Sequence, residues 1–257
     1  MNTKFGVFVL IAVAICSSIA MSQTKRPEVP PVQIPFKDSL QAVVVTTADW
    51  STVQGRARLF ERRSTRSKWT PVGDSFPIVL GRSGLGWGDE PSREAVPPQI
   101  KKEGDGNSPA GRFPLTFAFG VNSKPGNASL PYTKLEEFTE CVDDVNSTFY
   151  NKIVNRMQVG NFDWKSSEKM LEVGPAYDLG VFVAYNSYPP IRGNGSCIFL
   201  HIWKDANTGT SGCTAMEKTD LQRIVGWLDP KKHPYLIQLP EKEYAARQRS
   251  WNLPKLK

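Results

Sequence analysis

The sequence predicts a mainly β domain with one or two helices packed against it. The chain of 257 residues contains 20 glycines and 20 prolines, which favour turns and short strands over long helices. Short runs of β-branched and aromatic residues recur along it, and one segment has a clear helical period. Hydrophobic residues make up 40% of the chain, enough to bury a core, and no repeat or heptad pattern points to a solenoid or a coiled coil.

The first 22 residues are predicted to be a secretory signal peptide. Lys4 supplies the positive charge at its start, residues 5–15 form an apolar run, and small residues follow, with cleavage expected after Ala20 or Ser22. The apolar run is too short for a comfortable membrane span. We therefore expect an exported protein, secreted or periplasmic, with no stable membrane span once the leader is removed.

Residues 23–41 are predicted to be a linker or N-terminal arm, because proline and polar residues dominate them. A single domain is expected over 42–257, since no change of composition marks an internal boundary. Its first strand is predicted over 42–50, and the segments 57–63 and 68–73 are expected to pair as a hairpin around polar turn residues.

The centre of the chain is predicted to combine short strands with long connections. A short apolar strand and a glycine-rich turn occupy 76–88, and a long polar connection (91–113) leads to a strand over 113–120. The section 124–176 is expected to be irregular, with a short helix near Lys134–Phe138.

The last third of the chain has the strongest strand signals. Strands are predicted over 179–186, 196–203 and 234–240, which are short and rich in β-branched and aromatic residues. The basic tail that follows can form a helix over 241–251.

One helix is well specified between the last two of these strands. Thr219 is predicted to cap it, with Gln222 completing a capping box, and Asp229-Pro230 ends it. Its apolar face consists of Leu221, Ile224, Val225 and Leu228.

Export changes how the four cysteines are interpreted. Cys16 belongs to the predicted leader, where the bulky Ile15 before it disfavours a lipoprotein signal. Cys141, Cys197 and Cys213 remain in the exported chain. In an oxidising compartment, an odd number of cysteines indicates one pair and one free thiol, or an intermolecular bond.

A histidine and a cysteine near each other in sequence are the candidate catalytic pair. His201 lies in a predicted strand, and Cys213 follows twelve residues later. Sulfur attacks as the thiolate and an imidazole can accept its proton, so the pair suits nucleophilic acyl transfer. Gly212 permits a tight turn that points backbone N–H groups at a developing oxyanion. Alone, each is more often an inert core residue, but together, in an exported chain, they favour catalysis.

Two motifs surround these residues: Ser108-Pro109-x-Gly111-x-Phe113, and His201 followed by Ser211-Gly212-Cys213. Together they resemble the L,D-transpeptidase catalytic domains, the YkuD-like family of bacterial cell-wall enzymes. The resemblance spans roughly residues 42–240.

The chain departs from the family pattern in two places. Many members carry a histidine where this chain has Ser211, and their loop from histidine to cysteine is longer. The third group that orients His201 is therefore left open among a nearby backbone carbonyl, the Ser211 hydroxyl and Asn186.

The resemblance implies a β-sandwich of the L,D-transpeptidase type and a reaction on peptidoglycan stem peptides. The Cys213 thiolate attacks the carbonyl before the terminal D-alanine, D-alanine leaves, and an amine of a second stem resolves the thioester. His201 is the base for the thiol and the acid for the leaving amine, and the N–H groups around Gly212 form the oxyanion hole. With Cys213 as nucleophile, Cys141 and Cys197 are left to form a disulfide. No metal or organic cofactor is implied, and we expect a monomer.

Three alternatives compete with this interpretation. Water in place of the acceptor amine makes the enzyme an L,D-carboxypeptidase, and a wall-binding module without activity is the non-enzymatic option. A zinc hydrolase using His201, Cys213 and His233 is disfavoured, because the sequence has no typical metal-ligand spacing. The net charge of +7 suits an anionic wall polymer, and we expect no nucleic-acid partner.

Six residues are candidates for binding the substrate, each with an ordinary structural alternative. Tyr185 and Asn186 precede the histidine strand and can face the site, although Asn186 suits a turn equally well. Trp203, on the same face of the strand as the histidine, walls the pocket or packs in the core. Arg192 holds a stem-peptide carboxylate or is solvated, and the pair Asp143 and Asp144 is a polar binding element or part of a solvated turn.

Overall fold

The computed structural model describes residues 34–88 and 100–256 of the chain. The predicted leader (1–22) and most of the predicted arm (23–41) lie outside the described residues. The described residues form a ten-stranded sheet, a three-stranded sheet and two α-helices. The mainly β fold with packed helices that the sequence predicts is confirmed.

The elements follow one another in chain order. The strands are β1 (Gln41–Thr47), β2 (Gln54–Glu61), β3 (Thr70–Val79), β4 (Leu85–Trp87), β5 (Ser108–Gly120), β6 (Tyr132–Lys134), β7 (Thr139–Cys141), β8 (Ile153–Asn155), β9 (Glu168–Lys169), β10 (Leu179–Val183), β11 (Phe199–Ile202), β12 (Thr214–Met216) and β13 (Tyr235–Pro240). The α-helices are α1 (Lys218–Trp227) and α2 (Glu241–Arg247), and short 3-10 helices occupy Phe36–Asp38, Gly174–Tyr177 and Pro230–Lys232.

The large sheet closes on itself. Its strands follow the order β10-β11-β12-β3-β2-β1-β13-β5, and β5 also pairs with β10. β4 and β6 each add to β5. The parallel strands β1 and β13 are neighbours in this order, and β13 is buried at every residue. Parallel strands need cover on both faces, and α2 packs against these two.

β5 begins at Ser108, earlier than the strand predicted from residue 113, so the end of the predicted polar connection is wrong. The first residues of β5 pair with β4, and from Gly111 onward the strand pairs with β13. The polar groups of Ser108 and Pro109 at the start of β5 are hydrogen-bonded inside the protein. The Ser108 hydroxyl accepts from the N–H of Gly81 at 2.8 Å, and the carbonyl of Pro109 accepts from the Gln238 amide at 3.0 Å.

The short helix predicted near Lys134–Phe138 is wrong. Lys134 ends β6, and the N–H of Leu135 donates to the carbonyl of Gly120 in β5 at 2.8 Å. A turn follows, in which the N–H of Thr139 donates to the carbonyl of Glu136 at 2.9 Å. The section expected to be irregular also contains the small sheet, in the order β8-β7-β9.

The apolar face predicted for α1 is confirmed, and its predicted start is wrong. Leu221, Ile224 and Val225 are buried. The N-cap is Glu217, whose carbonyl accepts from the N–H of Leu221 at 3.0 Å, so Thr219 lies inside the helix. No side-chain hydrogen bond caps this end. Neither α1 nor α2, among the residues described, is long and apolar enough to cross a membrane.

Two apolar clusters lie on opposite faces of β11, because side chains alternate along a strand. Leu200 and Ile202 belong to the main core, which also includes the buried face of α1. Phe199 belongs to a smaller cluster that contains Tyr177 and Cys213. This smaller cluster carries the candidate site.

Candidate active site

Cys213 lies immediately before β12, next to the strand that carries His201. β11 and β12 run parallel, with His201 opposite Ala215. Continuing this register places Cys213 beside Phe199, whose backbone N–H donates to the cysteine sulfur at 3.3 Å. Because side chains alternate, His201 and Cys213 project from the same face of neighbouring strands.

The turn before Cys213 requires glycine. Gly212 has a φ of +151°, and a Cβ at this position would lie 3.0 Å from the carbonyl oxygen of Asn107. The carbonyl of Cys213 accepts from the hydroxyls of Ser108 and Thr210, each at 2.7 Å. The N–H of Gly212 donates to the Thr210 hydroxyl at 3.1 Å. The hydroxyls of Ser108 and Thr210 therefore fix the backbone that carries the thiol.

The His201 imidazole is buried and held in one tautomer. Its Nδ1 lies 2.8 Å from the carbonyl oxygen of Ile202. Because a carbonyl only accepts, Nδ1 carries the proton and Nε2 presents a lone pair. Burial lowers the pKa of His201, and the hydrogen bond to Ile202 acts in the opposite direction without cancelling it. The ring is therefore neutral at neutral pH, and a backbone carbonyl orients it.

Tyr177 lies beside His201 and belongs to the same apolar cluster as Cys213. Its ring packs edge-on against the His201 imidazole, with 5.5 Å between ring centroids. Its hydroxyl donates to Oε2 of Glu168 at 2.6 Å. Among the described side chains, no hydrogen bond joins His201 directly to Cys213.

Cys213 lines a cleft of about 300 Å³. Its lining residues are Arg82, Lys101, Glu103, Gly104, Asp143, Glu168, Ser196, Cys197, Ile198, Ser211, Gly212 and Cys213. The volume lies at the small end of the range of roughly 300–1,000 Å³ that is typical of ligand pockets. Lys101 is buried, and its Nζ pairs with Oδ1 of Asp105 at 2.7 Å. The cleft is therefore lined by both signs of charge around the thiol.

The surroundings of Cys213 disfavour the thiolate at rest. Burial raises the pKa of the thiol, and the nearby carboxylate of Glu168 raises it further. The N–H of Phe199, the charge of Lys101 and the hydroxyl of Tyr177 favour the thiolate, but they do not offset these effects. A thiol in this setting needs a proton acceptor close by to react as a nucleophile.

Glu168 titrates close to neutral pH. Burial raises its pKa to about 7, and the charges of Asp143 and Glu103 add to the effect. The hydrogen bond from Tyr177 favours the carboxylate and opposes them. At neutral pH, both protonation states of Glu168 are therefore populated.

A sequence model of the L,D-transpeptidase catalytic domain (YkuD) matches residues 49–237, which include both motifs and the whole candidate site. The chain belongs to the L,D-transpeptidase (YkuD) family. Its mainly β fold is the one expected of a catalytic domain of this family.

Among solved structures, the chain is similar to the helical cell shape determining protein Pgp2 from Campylobacter jejuni. The sequences are 14% identical, the match covers 78% of this chain and 48% of that chain, and the TM-score is 0.39. The chain therefore spans about half the length of that protein. No curated protein matches the chain.

The disulfide expected in this L,D-transpeptidase-family domain is present. Cys141 and Cys197 are bonded, with 6.0 Å between their Cα atoms, and Cys213 is free. Cys141 ends β7 of the small sheet, whereas Cys197 lies two residues before β11. The carbonyl of Cys197 lies 3.5 Å from the Cys213 sulfur. The bond therefore ties the small sheet to the strand that carries His201.

Tyr185 and Asn186 do not line the cleft that contains Cys213. Both line a different cavity, of about 650 Å³, which has no lining residue in common with the cleft of Cys213. The Asn186 amide donates to the carbonyls of Ile191 and Gly195 at 2.9 and 2.8 Å. Asn186 therefore fastens its own loop, and it is not the group that orients His201.

The other candidates fall into two groups. Ser211 is exposed and lines the cleft, as does Asp143. Arg192 is exposed in the loop after Asn186, and Trp203 is half-buried just beyond β11. Neither lines the cleft, so their contact with a substrate stays a prediction.

Sequence reasoning missed the residues that join the site from outside the two motifs. Tyr177 ends a 3-10 helix and Glu168 begins a strand of two residues, so neither lies in a periodic pattern. Thr210 was also missed, although its place within Thr-x-Gly-Cys matches the Ser/Thr position of the family motif. That match is the one signal that could have identified it.

Proposed function

We propose that this protein is an exported cysteine acyltransferase that performs L,D-transpeptidation on peptidoglycan stem peptides. The observation that carries the proposal is the Cys213 thiol, which lines a cleft from a rigid glycine turn beside His201 in a domain of this family. The disulfide between Cys141 and Cys197 supports export, because such bonds persist in oxidising compartments.

The proposed reaction forms and then resolves a thioester. The Cys213 sulfur attacks the carbonyl carbon between the third residue of a stem peptide and its terminal D-alanine, and the backbone N–H of Cys213 donates to the developing oxyanion. Breaking the C–N bond releases D-alanine as the free amino acid. An amine of a second stem then attacks the thioester, forms a new amide and releases the sulfur.

His201 is assigned the proton transfers of both half-reactions. Because Ile202 holds Nδ1, Nε2 is the atom that exchanges protons. Nε2 takes the proton of the Cys213 thiol as the sulfur attacks and supplies it to the nitrogen of the departing D-alanine. It then takes a proton from the attacking amine and returns it to the sulfur as the thioester is resolved. A neutral ring is suited to receiving a proton at the start of each half-reaction.

Incubation with a defined tetrapeptide stem tests the proposal. The full chain should release D-alanine and, when a second stem with a free amine is added, form a cross-linked dimer. Cys213→Ala should abolish both products while the melting temperature is retained. Release of D-alanine with no dimer identifies the carboxypeptidase, and binding of wall polymer with neither product identifies the binding module.

The two described histidines provide a matched pair of variants. His201→Ala should lose most of the activity, because the departing amine then leaves unprotonated, at a cost of about 10²–10⁴-fold. His233→Ala should retain it, since His233 follows the 3-10 helix before β13 and does not line the cleft. Equal activity of the two variants would contradict the role of His201.

A further inference from the structure

Two of the described residues that line the cleft of Cys213 are cations, Arg82 and Lys101. The backbone N–H of Lys101 donates to the carbonyl of Trp87, the last residue of β4, at 2.9 Å. Arg82 lies three residues before β4, and its backbone N–H donates to the carbonyl of Thr210 at 2.8 Å. Backbone hydrogen bonds therefore hold both cations on the side of the cleft that adjoins β4.

The Lys101 ammonium is buried and has one donor left for a ligand. Its side chain is only 3% exposed. It donates to Oδ1 of Asp105 at 2.7 Å and to the carbonyl of Lys102 at 2.5 Å. An ammonium has three donors, and within the described part of the chain no further acceptor takes the third. The third N–H is therefore available to an acceptor bound in the cleft.

Asp105 fixes the position of this ammonium. Its carboxylate also accepts from the backbone N–H groups of Lys102 and Asn107, at 2.6 and 2.9 Å. Burial acts to raise the pKa of Asp105, but the hydrogen bonds from Lys101, Lys102 and Asn107 outweigh it and lower the pKa. The negative charge of Asp105 is therefore shared among three donors, and Lys101 keeps part of its attraction for a second anion.

The Arg82 guanidinium approaches the same turn from the rim of the cleft. A Cβ on Gly106, the residue after Asp105, would lie 3.1 Å from the Cζ atom of Arg82. The Arg82 side chain is exposed, and it forms no hydrogen bond or ion pair with another described residue. The planar fork of a guanidinium matches the two oxygens of a carboxylate. Arg82 and Lys101 therefore offer donors to one anion from neighbouring positions.

The acidic residues of the cleft lie elsewhere on its lining. Oε2 of Glu103 accepts from the hydroxyls of Tyr150 and Ser196, at 2.5 and 2.7 Å. Asp143 lies two residues after β7 and Glu168 begins β9, so both belong to the small sheet. An anionic group is repelled by these carboxyls and attracted by the two cations, which fixes its orientation in the cleft.

The proposed substrate brings a carboxylate to this place. The terminal D-alanine of the stem ends in a free carboxylate, three bonds beyond the carbonyl carbon that Cys213 attacks. One residue spans about 3.8 Å, so this carboxylate lies within about one residue length of the attacked bond. A group so close to the sulfur must bind within the same cleft of about 300 Å³.

We propose that Lys101, together with Arg82, binds the terminal carboxylate of the stem peptide and thereby restricts the reaction to its last peptide bond. Lys101 donates its third N–H to one carboxylate oxygen, and Arg82 donates from the rim. A stem that is amidated or continues past this residue leaves the buried ammonium without its ligand. The carboxylate contact expected of Arg192 thereby falls to residues that line the cleft. This inference rests on the proposed function, because it takes the stem peptide as the ligand.

Binding of two peptides tests the inference without turnover. The full chain with Cys213→Ala is titrated calorimetrically with a tetrapeptide stem that ends in D-alanine, and with the same peptide ending in D-alaninamide. The carboxylate form should bind about tenfold or more tightly, as expected for a hydrogen bond between charged groups. Adding Lys101→Met should bring the two affinities to within about twofold of each other, and adding Arg82→Gln should reduce the preference by a smaller factor.

Lys102→Met is the matched control, because it makes the same change of side chain one residue away. Lys102 is exposed, does not line the cleft, and contacts Lys101 and Asp105 only through its backbone. It should keep the preference of the parent. Loss of the preference in Lys102→Met as well would show that net charge is the cause, and it would overturn the inference.

Turnover gives a second readout that a purely structural lysine would not change. With Cys213 present, kcat/KM for release of D-alanine should exceed that for release of D-alaninamide, and Lys101→Met should remove this difference. If Lys101 only supported the fold, Lys101→Met would lower both values equally and the preference would survive. That result would overturn the inference.

The remaining outcomes separate this inference from the proposed function. Equal affinities of the two peptides, or binding of neither, would overturn the inference, and release of D-alanine without a preference would do so while leaving the proposed function intact. A preference that Lys101→Met abolishes, in a protein that releases no D-alanine, would support the carboxylate site and overturn only the proposed reaction. Melting curves establish folding, and if Lys101→Met is unfolded, Lys101→Met with Asp105→Asn removes both charges of the buried pair and carries the test.

Discussion

The hydroxyl of Ser108 donates to the carbonyl oxygen of Cys213 at 2.7 Å, across a sequence separation of 105 residues. This bond joins the two motifs that carry the family resemblance. The same hydroxyl accepts from the N–H of Gly81, so this buried group both donates and accepts a hydrogen bond. Ser108 thus positions the backbone of the proposed nucleophile without touching a substrate.

Ser108→Ala should therefore destabilise the fold and slow acylation. The change leaves the N–H of Gly81 without its acceptor, and an unsatisfied buried group costs about 1–3 kcal/mol. Denaturant unfolding measures the stability, and D-alanine release measures the activity. Thr208→Val is the control, because its hydroxyl bonds only to exposed Asp205. Unchanged stability and activity in Ser108→Ala would contradict this role.

Gly212→Ala should lower both stability and activity. Its φ of +151° and the approach of the Asn107 carbonyl to 3.0 Å leave no room for a Cβ without a backbone shift. Strain of this kind costs about 1–3 kcal/mol and here displaces the adjacent Cys213. Thermal unfolding and D-alanine release should both respond. Gly126→Ala, where a Cβ has open space, should leave both unchanged, and a similar loss there would refute the argument.

Removing the disulfide should destabilise the protein by about 4 kcal/mol in the chain-entropy model, and by about 2–5 kcal/mol from experience with native bonds. The estimate follows from the separation of 56 residues between Cys141 and Cys197. The measurement is the denaturant midpoint of the variant with both cysteines changed to alanine. An unchanged denaturant midpoint in this variant would contradict the predicted contribution of the disulfide.

Acid should weaken the small sheet through Glu140. Burial acts to raise the pKa of this carboxyl, but hydrogen bonds from Ser167, Lys169 and Trp164 and the charge of Arg156 outweigh it and lower the pKa to about 2. Because the folded value lies below the ordinary 4.5, the carboxylate stabilises the fold above that pH. The contribution is lost as the pH falls towards 2.

Melting temperatures from neutral pH down to about pH 2 check this dependence. Glu140→Gln should be less stable than the parent at neutral pH, and the difference should shrink as the pH falls. Glu137→Gln, an exposed change two residues before β7, should follow the parent throughout. A difference between parent and Glu140→Gln that is constant with pH would show that charge is not the cause.

The sequence predicts the features that depend on local periodicity. The face of α1 formed by Leu221, Ile224 and Val225 follows from a helical period, and the strands around His201 follow from short runs of β-branched and aromatic residues. The disulfide follows once the family motif assigns Cys213 a free thiol. These features can be predicted because the periodic pattern, the strand runs and the family motif each lie within a few neighbouring positions.

The sequence does not predict features that depend on pairing between residues far apart in the chain. The capping box at Thr219 is a valid local pattern, but the helix is capped two residues earlier, where the carbonyl of Glu217 accepts from the N–H of Leu221. The pairing of β5 with β10 closes the large sheet and has no sequence signature of its own. The hydrogen bond between Tyr177 and Glu168 beside the cleft depends on the small sheet and the disulfide together, so no spacing in the sequence predicts it.

The location of an acyl group on the chain tests the central claim most directly. The full chain is incubated with a tetrapeptide stem in the absence of acceptor, quenched in acid and digested, and the modified peptide is identified by mass spectrometry. The account predicts the mass of the stem minus D-alanine, bound as a thioester, on the peptide that contains Cys213 and absent from Cys213→Ala. Release of D-alanine with Cys213 unmodified, or with Cys213→Ala fully active, would contradict it.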